Sequence, residues 1–293
     1  MSVPRRAVLT GLASFTALAP AAPLRAQPFT LGHAFDAGAA PGPVPLVPTW
    51  RRNAVTVDMA ERRPKIAVVI DDLGVMRAHS AQAVGLPGPL TLAWFPFARD
   101  LPEQVAEATA RGHEAMLHMP MQAHTNSILQ TGPDPLRVDL PPEVNLARLR
   151  SALAAVPNIV GLNNHMGSVA TRSLALMDLM ACETRAHDML FLDSVVIPHS
   201  MGLRAAEAEG VPAAARDVFI DNDKNPALIR AQLATTEMFA RHYGYAIAIG
   251  HPRPNTLAAL EQWLPTLPDK GFALWPISAA VRLRNGIDVT MSV

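Results

Sequence analysis

The sequence has a single cysteine and no excess of charge of either sign. Cys182 cannot form a disulfide within the chain, and it has no second thiol for a Cys-x-x-Cys metal or redox pair. Any metal must therefore be bound by His, Asp or Glu. The 25 basic and 25 acidic residues cancel, and only 17% of the 293 residues are charged. This composition argues against a disordered chain and against a protein that binds nucleic acid through a basic surface.

A hydrophobic run long enough to span a membrane is also missing from the N-terminus. Arg5 and Arg6 precede an apolar run, 12–22, that is shorter than the ~20 residues a span needs, and a small-residue cleavage site follows near Ala26. We interpret residues 1–26 as a twin-arginine signal peptide. This predicts a periplasmic or secreted protein with no stable membrane span after cleavage. The alternative is a cytoplasmic helix that carries two arginines by chance.

Residues 27–64 contain six prolines among interspersed Gly and Ala, with no sustained hydrophobic period. We interpret this segment as a flexible linker. Trp50, followed by Arg51 and Arg52, could dock onto the next domain, although nothing in the sequence requires it. The folded domain is predicted to occupy residues 65–293.

From Lys65 onward, short apolar runs alternate with longer amphipathic segments. The candidate strands are 66–70, 90–95, 114–117, 159–162, 190–192, 217–220, 245–249 and 272–275. The clearest candidate helices are 102–111, 143–155, 174–187, 226–242 and 256–263. This alternation predicts an α/β fold with a parallel sheet covered by helices. Seven or eight strand-helix units in about 230 residues favour a single closed or nearly closed β/α barrel over an open sheet.

Nearly every candidate strand is followed by a polar side chain. These are Asp71 and Asp72, His118, the run of Asn163, Asn164 and His165, Asp193, Asp221 and His251. Each has a structural alternative, since an Asp after a strand can cap a helix or shape a turn and a lone His is usually structural. In a parallel barrel, however, all these strand ends meet at one rim. Two histidines and tandem carboxylates on one rim supply nitrogen and oxygen ligands for zinc or another divalent first-row metal.

Five motifs in the chain resemble those of the divergent polysaccharide deacetylase family, an exported bacterial branch related to the carbohydrate esterases with a NodB-type domain. They are IDDLG at 70–74, GHEAMLHMPM at 112–121, GLNNHMGS at 161–168, FLDS at 191–194 and GHP at 250–252. The resemblance covers roughly residues 65–284. It implies a β/α barrel of about seven strands with irregular closure, and a divalent metal that activates water to hydrolyse an N-acetyl group of a sugar.

The resemblance also implies roles for individual residues. Asp71 corresponds to the general base, Asp72 to the carboxylate ligand of the metal, and His251 to the late histidine that acts as general acid. These residue types suit the chemistry, because amide hydrolysis near neutral pH needs an activated water, a proton acceptor and a group that donates a proton to the leaving amine.

The sequence departs from the family pattern at the second metal-binding histidine. His118 matches the first histidine of the usual His-x3-His pair, but the position four residues later is Gln122, a poor ligand. His165 is our preferred replacement and His124 is the runner-up. Asn164 is expected beside the metal or the substrate.

Other side chains are expected to support the site. Asp193 could orient His251 or a ligand histidine from behind. The aromatic residues Trp94, Phe95, Phe97 and Trp275 follow or end strands, and they are either a platform for a sugar ring or part of the core.

Three functions remain open at this point. The first is a zinc-dependent deacetylase that acts on an envelope or extracellular polysaccharide. The second is a catalytically silent carbohydrate-binding or envelope-organising protein, which Gln122 favours. The third is a copper protein, because Met119, Met121 and Met166 offer sulfur beside imidazole. The oligomeric state cannot be derived from the sequence.

Overall fold

A computed structural model describes residues 47–124 and 128–287 of the chain. The predicted signal peptide, 1–26, and the first part of the predicted linker, 27–46, lie outside these ranges. The strands of the described residues are β1 (Lys65–Leu73), β2 (Thr91–Trp94), β3 (Glu114–Met121), β4 (Ile159–Met166), β5 (Leu190–Asp193), β6 (Ala213–Ala215), β7 (Val218–Phe219), β8 (Tyr245–Gly250) and β9 (Ala273–Trp275).

Helices connect most of these strands. They are α1 (Thr49–Arg52), α2 (Arg77–Val84), α3 (Leu101–Ala110), α4 (Ile128–Thr131), α5 (Pro142–Ala155), α6 (Leu174–Ala186), α7 (Gly202–Ala208), α8 (Pro226–Tyr243), α9 (Pro254–Trp263) and α10 (Ile277–Arg284). The residues at the helix ends explain several of the boundaries. In α8, the Asn225 side chain accepts a hydrogen bond from the Ala227 N–H, Pro226 occupies the first turn, and Gly244 ends the helix with φ 83°.

The strands form one parallel sheet in the order β6-β5-β4-β3-β2-β1-β8-β7, and β9 also pairs with β1. The end strands β6 and β7 are separated in the chain by only two residues. Of these, the Arg216 N–H donates to the Asp193 carbonyl of β5, whereas the Asp217 N–H donates to the Ile247 carbonyl of β8. The sheet thus curls so far that residues 216 and 217 join its two edge strands. This confirms the predicted β/α barrel with irregular closure.

The structure differs from the prediction in the number and length of strands. The described residues contain nine strands rather than about seven, and β6 was not predicted because its sequence is Ala213–Ala215, which has low strand propensity. Strands β3 and β4 also continue beyond their predicted ends. Their polar residues still pair across the sheet, with His118 opposite Asn163 and Pro120 opposite His165. On β3 and β4 the polar rim is therefore the last part of the strands rather than the loops after them.

Alternating side chains divide the core into two layers. One layer packs against helices α3 and α5 to α9 on the outside of the sheet, and it includes Val68 and Ile70 of β1. The other layer fills the inside of the barrel, and it includes Ala67 and Val69 of the same strand. This alternation follows from the two-residue period of a strand. Asp71 continues the inward series and so stands at the top of the barrel interior.

Residues 47–64, the described part of the predicted linker, pack against the barrel. Trp50 is only 4% exposed and lies in the inner core layer with residues of α10. The Asn53 side chain donates to the Ile159 carbonyl at 2.8 Å, and the Val55 N–H donates to Glu114 Oε1 at 3.1 Å. Burial of a large aromatic ring stabilises this attachment, so the packed structure starts before Lys65. Within 47–124 and 128–287, no helix is both long and apolar enough to cross a membrane.

Candidate active site

The predicted site residues surround an open cavity of about 540 Å³ at the carboxyl ends of the strands. It is lined by Asp71, Asp72, His118, Gln130, Asn164, His165, Met166, Ser168, Ser194, Val196, Arg216, Phe219, Ile249, His251 and Arg253. Two of these side chains continue inward-facing series of the strands, since His118 follows Met116 in β3 and His251 follows Ile249 in β8. The barrel interior thus ends in a polar layer that forms the floor of the cavity.

Three side chains from three strands meet at one point of this floor. Asp72 Oδ1 lies 3.1 Å from His118 Nε2 and 3.1 Å from His165 Nδ1, and these two nitrogens are 3.1 Å apart. The three atoms form an equilateral triangle. Tetrahedral zinc with bonds of ~2.0 Å places its ligand atoms about 3.3 Å apart, so the triangle is close to one face of such a site. Asp72 Oδ1 is also buried without a hydrogen bond of normal geometry. The residues therefore fit a divalent cation.

A distortion of β1 brings both aspartates to the same cavity. Consecutive strand residues normally point to opposite faces of a sheet. Between Ile70 and Leu73, however, the pairing of β1 with β2 shifts its register, and Asp72 adopts a φ of 60°. This left-handed conformation is uncommon for a residue other than Gly and stores strain. The bulge turns Asp72 toward the rim beside Asp71.

Hydrogen bonds on the far side of each imidazole fix which nitrogen faces the triangle. His118 Nδ1 donates to Asn163 Oδ1 at 2.8 Å, and His165 Nε2 donates to the Gln130 carbonyl at 2.8 Å. Because these partners are acceptors, the nitrogens that face them carry the hydrogens. His118 Nε2 and His165 Nδ1 thus face the triangle, and in the neutral rings these two nitrogens carry the lone pairs that metal binding requires.

The charges around the triangle favour a positive charge at its centre. Burial would raise the pKa of Asp72, but the neighbouring His118 and His165 outweigh it and hold the pKa well below its usual range. Burial would lower the pKa of His118, but the carboxylates of Asp71 and Asp72 outweigh it and raise the pKa to about 9. The two carboxylates therefore stabilise either a proton or a metal ion at this point.

Asp71 lies beside the triangle but outside it. The carboxylate is 2% exposed, and its Oδ1 accepts a hydrogen bond from Asn163 Nδ2 at 2.8 Å. Its Oδ2 lies 3.7 Å from His118 Nδ1. Burial raises the pKa of Asp71, although the nearby histidines oppose this. Asp71 is thus a carboxylate at the cavity floor that is free to accept a proton.

His251 faces the cavity from the opposite side and is held by Asp221. His251 Nδ1 donates to Asp221 Oδ1 at 2.8 Å, and His251 Nε2 lies 3.9 Å from Asp72 Oδ2. Burial would lower the pKa of His251, but the hydrogen bond to Asp221 and the surrounding carboxylates raise it. The arrangement presents Nε2 of a fixed imidazole to the cavity, which suits proton transfer.

The partner of His251 corrects our expectation for Asp193. Asp193 Oδ1 accepts a hydrogen bond from the Val195 N–H in a turn and makes no contact with His251. Asp221 takes this role because Phe219 of β7 pairs with Ile249 of β8, which places the residues two positions further on next to each other. The sequence marks Asp221 as a strand-end residue, but it does not reveal which strands are neighbours.

The structure places the remaining predicted residues outside the triangle. Gln122 Oε1 accepts a hydrogen bond from the Val138 N–H, and His124 is exposed with its N–H bonded to Ser168 Oγ. Asn164 lines the cavity, where its side chain accepts from the Ser194 N–H and donates to the Met166 carbonyl. Asp72, His118 and His165 form the one group of three or more His, Cys, Asp or Glu in 47–124 and 128–287 that could hold a metal.

Of the four aromatic side chains, Phe95 contacts the histidines of the triangle, and Phe97 contacts Phe95. Trp94 and Trp275 are buried in core clusters away from the cavity. The Phe95 ring lies 5.2 Å from the His118 ring and 4.7 Å from the His165 ring, and Phe97 stacks on Phe95 at 4.8 Å.

Sequence reasoning placed Asn163 at the rim without a role, and it missed Gln130 and Arg216 as parts of the site. Asn163 stands in the quoted GLNNHMGS motif, but only the pairing of β3 with β4 reveals what it contacts. Arg216 donates through Nε to the Ser194 carbonyl and through Nη2 to the Val195 carbonyl. It thereby fixes a cavity wall where the barrel closes.

Comparison with known protein families shows which family the chain belongs to. The model of the family described as divergent polysaccharide deacetylase matches residues 68–281. The chain belongs to this family. The matched segment contains the cavity floor and all three residues of the triangle.

Relatives of the chain extend the comparison. The chain is 36% identical over 204 residues to the uncharacterized protein YibQ of Escherichia coli (strain K12), covering 70% of the chain but only 63% of that protein. It is 35% identical over 217 residues to an uncharacterized protein of Haemophilus influenzae, covering 74% of the chain and 77% of that protein. A crystal structure of an uncharacterized protein from Agrobacterium tumefaciens C58 is similar, with a TM-score of 0.77 and 25% identity over 80% of this chain and 95% of that one.

Proposed function

We propose that the protein is a metal-dependent hydrolase that removes N-acetyl groups from a polysaccharide. The observation that carries this proposal is the 3.1 Å triangle of Asp72, His118 and His165 at the floor of the cavity. A free carboxylate, Asp71, and a fixed imidazole, His251, face the same cavity. These are the parts that metal-assisted amide hydrolysis requires.

The donor set favours zinc as the metal. Two imidazole nitrogens and one carboxylate oxygen form a typical catalytic zinc site, which keeps further positions for water and substrate. The triangle contains no sulfur atom, and this favours zinc over copper. When bound, a divalent cation supplies a water with a pKa near ~7 and polarises the carbonyl of the substrate.

The chain's own residues then move the protons. Asp71 accepts the proton of the attacking water at Oδ2, because Oδ1 already accepts the amide hydrogen of Asn163. His251 donates a proton from Nε2 to the leaving nitrogen, while Asp221 stabilises the charged ring through Nδ1. The amide C–N bond breaks, and the products are acetate and a free amine on the sugar.

The family and the sequence support a proposal for the substrate and its location. A cavity of about 540 Å³ has the size of a small-molecule site and can hold a sugar unit with its acetamido group. The predicted twin-arginine signal peptide supports an envelope or extracellular polysaccharide as the substrate. We therefore propose that the protein is exported and acts on such a glycan outside the cytoplasm.

A catalytically silent carbohydrate-binding or envelope-organising protein is the second candidate. Gln122, which occupies the second histidine position of the usual ligand pair, favours it, because its side chain is engaged by the Val138 N–H away from the cavity. His165 supplies the missing nitrogen in this chain, which supports the active enzyme.

Acetate release and metal content together distinguish the two candidates. The purified protein is incubated with several N-acetylated glycans, with and without a chelator, and liberated acetate and bound metal are measured. We expect acetate from at least one glycan, loss of activity with chelator and recovery with zinc. Bound zinc without acetate release from any glycan would support the silent protein, and copper as the bound metal would contradict the zinc assignment.

A further inference from the structure

We propose that Asn163 is a positioning residue that keeps Asp71 and His118 apart, so that one serves as proton acceptor and the other as metal ligand. The inference rests on the proposed function. Asn163 is fully buried between the two side chains. Its Oδ1 accepts from His118 Nδ1 and its Nδ2 donates to Asp71 Oδ1, each at 2.8 Å.

The register of two strands places Asn163 at this point. His118 of β3 pairs directly with Asn163 of β4, so both side chains stand side by side at the top of the barrel. The next residue, Asn164, is equally buried but bonds to the Ser194 N–H and the Met166 carbonyl instead. Two adjacent asparagines thus have separate roles, and only the first touches the proposed base and ligand.

The amide of Asn163 can adopt only one orientation. Its Nδ2 lies 2.8 Å from a carboxylate oxygen of Asp71, which can only accept, and 3.3 Å from Ser194 Oγ. The carbonyl oxygen must therefore face His118 Nδ1, whose hydrogen it accepts. Asn163 Oδ1 thus holds the proposed ligand His118 in place, and Asn163 Nδ2 holds the proposed proton acceptor Asp71.

Without the Asn163 carbonyl, the His118 N–H would turn to Asp71. A buried donor needs an acceptor, and Asp71 Oδ2 already lies 3.7 Å from His118 Nδ1. A charged acceptor forms a stronger hydrogen bond than a neutral one. The ring would then leave the position in which Nε2 faces the triangle, and Asp71 would lose the oxygen that accepts the proton.

Three variants test this division of roles. Asn163→Ala removes both amide atoms, Asn163→Asp keeps an oxygen toward His118 but replaces the donor toward Asp71, and Asn164→Ala is the matched control on the same strand. The dissociation constant for Zn²⁺ is measured by competition with a chelating dye, and acetate release is measured at saturating zinc. Thermal unfolding shows whether each variant folds.

We expect Asn163→Ala to weaken zinc binding about 10- to 100-fold, as is usual when the partner of a ligand histidine is removed. Its acetate release should stay at least about tenfold below wild type when zinc is saturating. For Asn163→Asp we expect zinc binding within about threefold of wild type but the same loss of rate. Asn164→Ala should bind zinc within about threefold of wild type.

The proposal is overturned if Asn163→Ala binds zinc and releases acetate as wild type does. It is also overturned if Asn163→Asp loses zinc affinity as strongly as Asn163→Ala. The oxygen that faces His118 would then not be the atom that maintains zinc affinity. If Asn163→Ala does not fold, the zinc affinity of Asn163→Asp decides. If wild type releases no acetate from any glycan, the proposed function fails, whereas the zinc measurements still test the contact between Asn163 and His118.

Discussion

Replacing Asp221 with Asn should disable His251 without disturbing the triangle of Asp72, His118 and His165. Asp221 Oδ1 accepts from His251 Nδ1, whereas Oδ2 accepts from the His251 backbone N–H and from Thr256 Oγ. The backbone N–H can only donate, so the amide oxygen of Asn must take the Oδ2 position. Its NH₂ group then faces His251 Nδ1, which has to become an acceptor.

The size of the effect follows from this change of tautomer. A ring that accepts at Nδ1 cannot carry a proton there, so the charged form that protonates the leaving amine is lost. General acid catalysis contributes about 10²- to 10⁴-fold, and the same Asp→Asn change in a serine protease triad costs about 10⁴-fold. We therefore expect acetate release to fall about 10²- to 10⁴-fold, or about 3 to 5 kcal/mol in activation free energy.

The assay compares Asp221→Asn with a matched variant, Asp193→Asn. Asp193 is the carboxylate that the sequence suggested for this role, but in the structure its side chain accepts a hydrogen bond from the Val195 N–H in a turn, which an Asn side chain can also do. We expect Asp193→Asn to retain the wild-type rate within about threefold, and both variants to keep the zinc affinity. A wild-type rate for Asp221→Asn, or an equal loss in both variants, would refute the reasoning.

Three further predictions concern the base, the third ligand and a buried acid. Asp71→Asn should lower acetate release by at least about 10²-fold with the bound zinc unchanged, since Asp71 lies outside the triangle; metal analysis and acetate release check this. His165→Ala should weaken zinc binding by at least about tenfold, whereas His124→Ala should not, because His124 is exposed. Burial raises the pKa of Glu114 from 4.5 to about 7. Its contribution to stability is therefore complete below pH 4.5 and is lost as the pH rises through 7, by about 3 kcal/mol. In urea unfolding from pH 4 to 9, the difference in unfolding free energy between wild type and Glu114→Gln should show this slope between pH 4.5 and 7, and a difference that does not change with pH would contradict it.

The barrel could be predicted because its strands carry local signals. The run at 66–70 is continuously apolar, as expected for a strand buried on both faces, and amphipathic helices follow such runs along the chain. The sequence carries no local signal for segments that are buried only through contacts with distant parts of the chain. Strand β6 consists of three alanines, and the docking of Trp50 depends on a surface formed by distant residues.

The sequence predicted that the candidate residues share one rim of the barrel, but it did not predict the contacts between them. The rule that parallel strand ends share one rim was enough to bring Asp72, His118 and His165 together. Contacts such as Asn163 with Asp71 and Asp221 with His251 depend on which strands are neighbours and in which register. The bulge that turns Asp72 to the rim is likewise a property of paired strands, so one sequence does not reveal it.

The most direct test of this account is the position of a bound metal. Crystals of the protein grown with zinc would be measured on both sides of the zinc absorption edge. We predict one anomalous peak about 2 Å from Asp72 Oδ1, His118 Nε2 and His165 Nδ1. A fully loaded crystal with its zinc elsewhere, or protein that binds no divalent metal at micromolar concentration, would contradict the central claim.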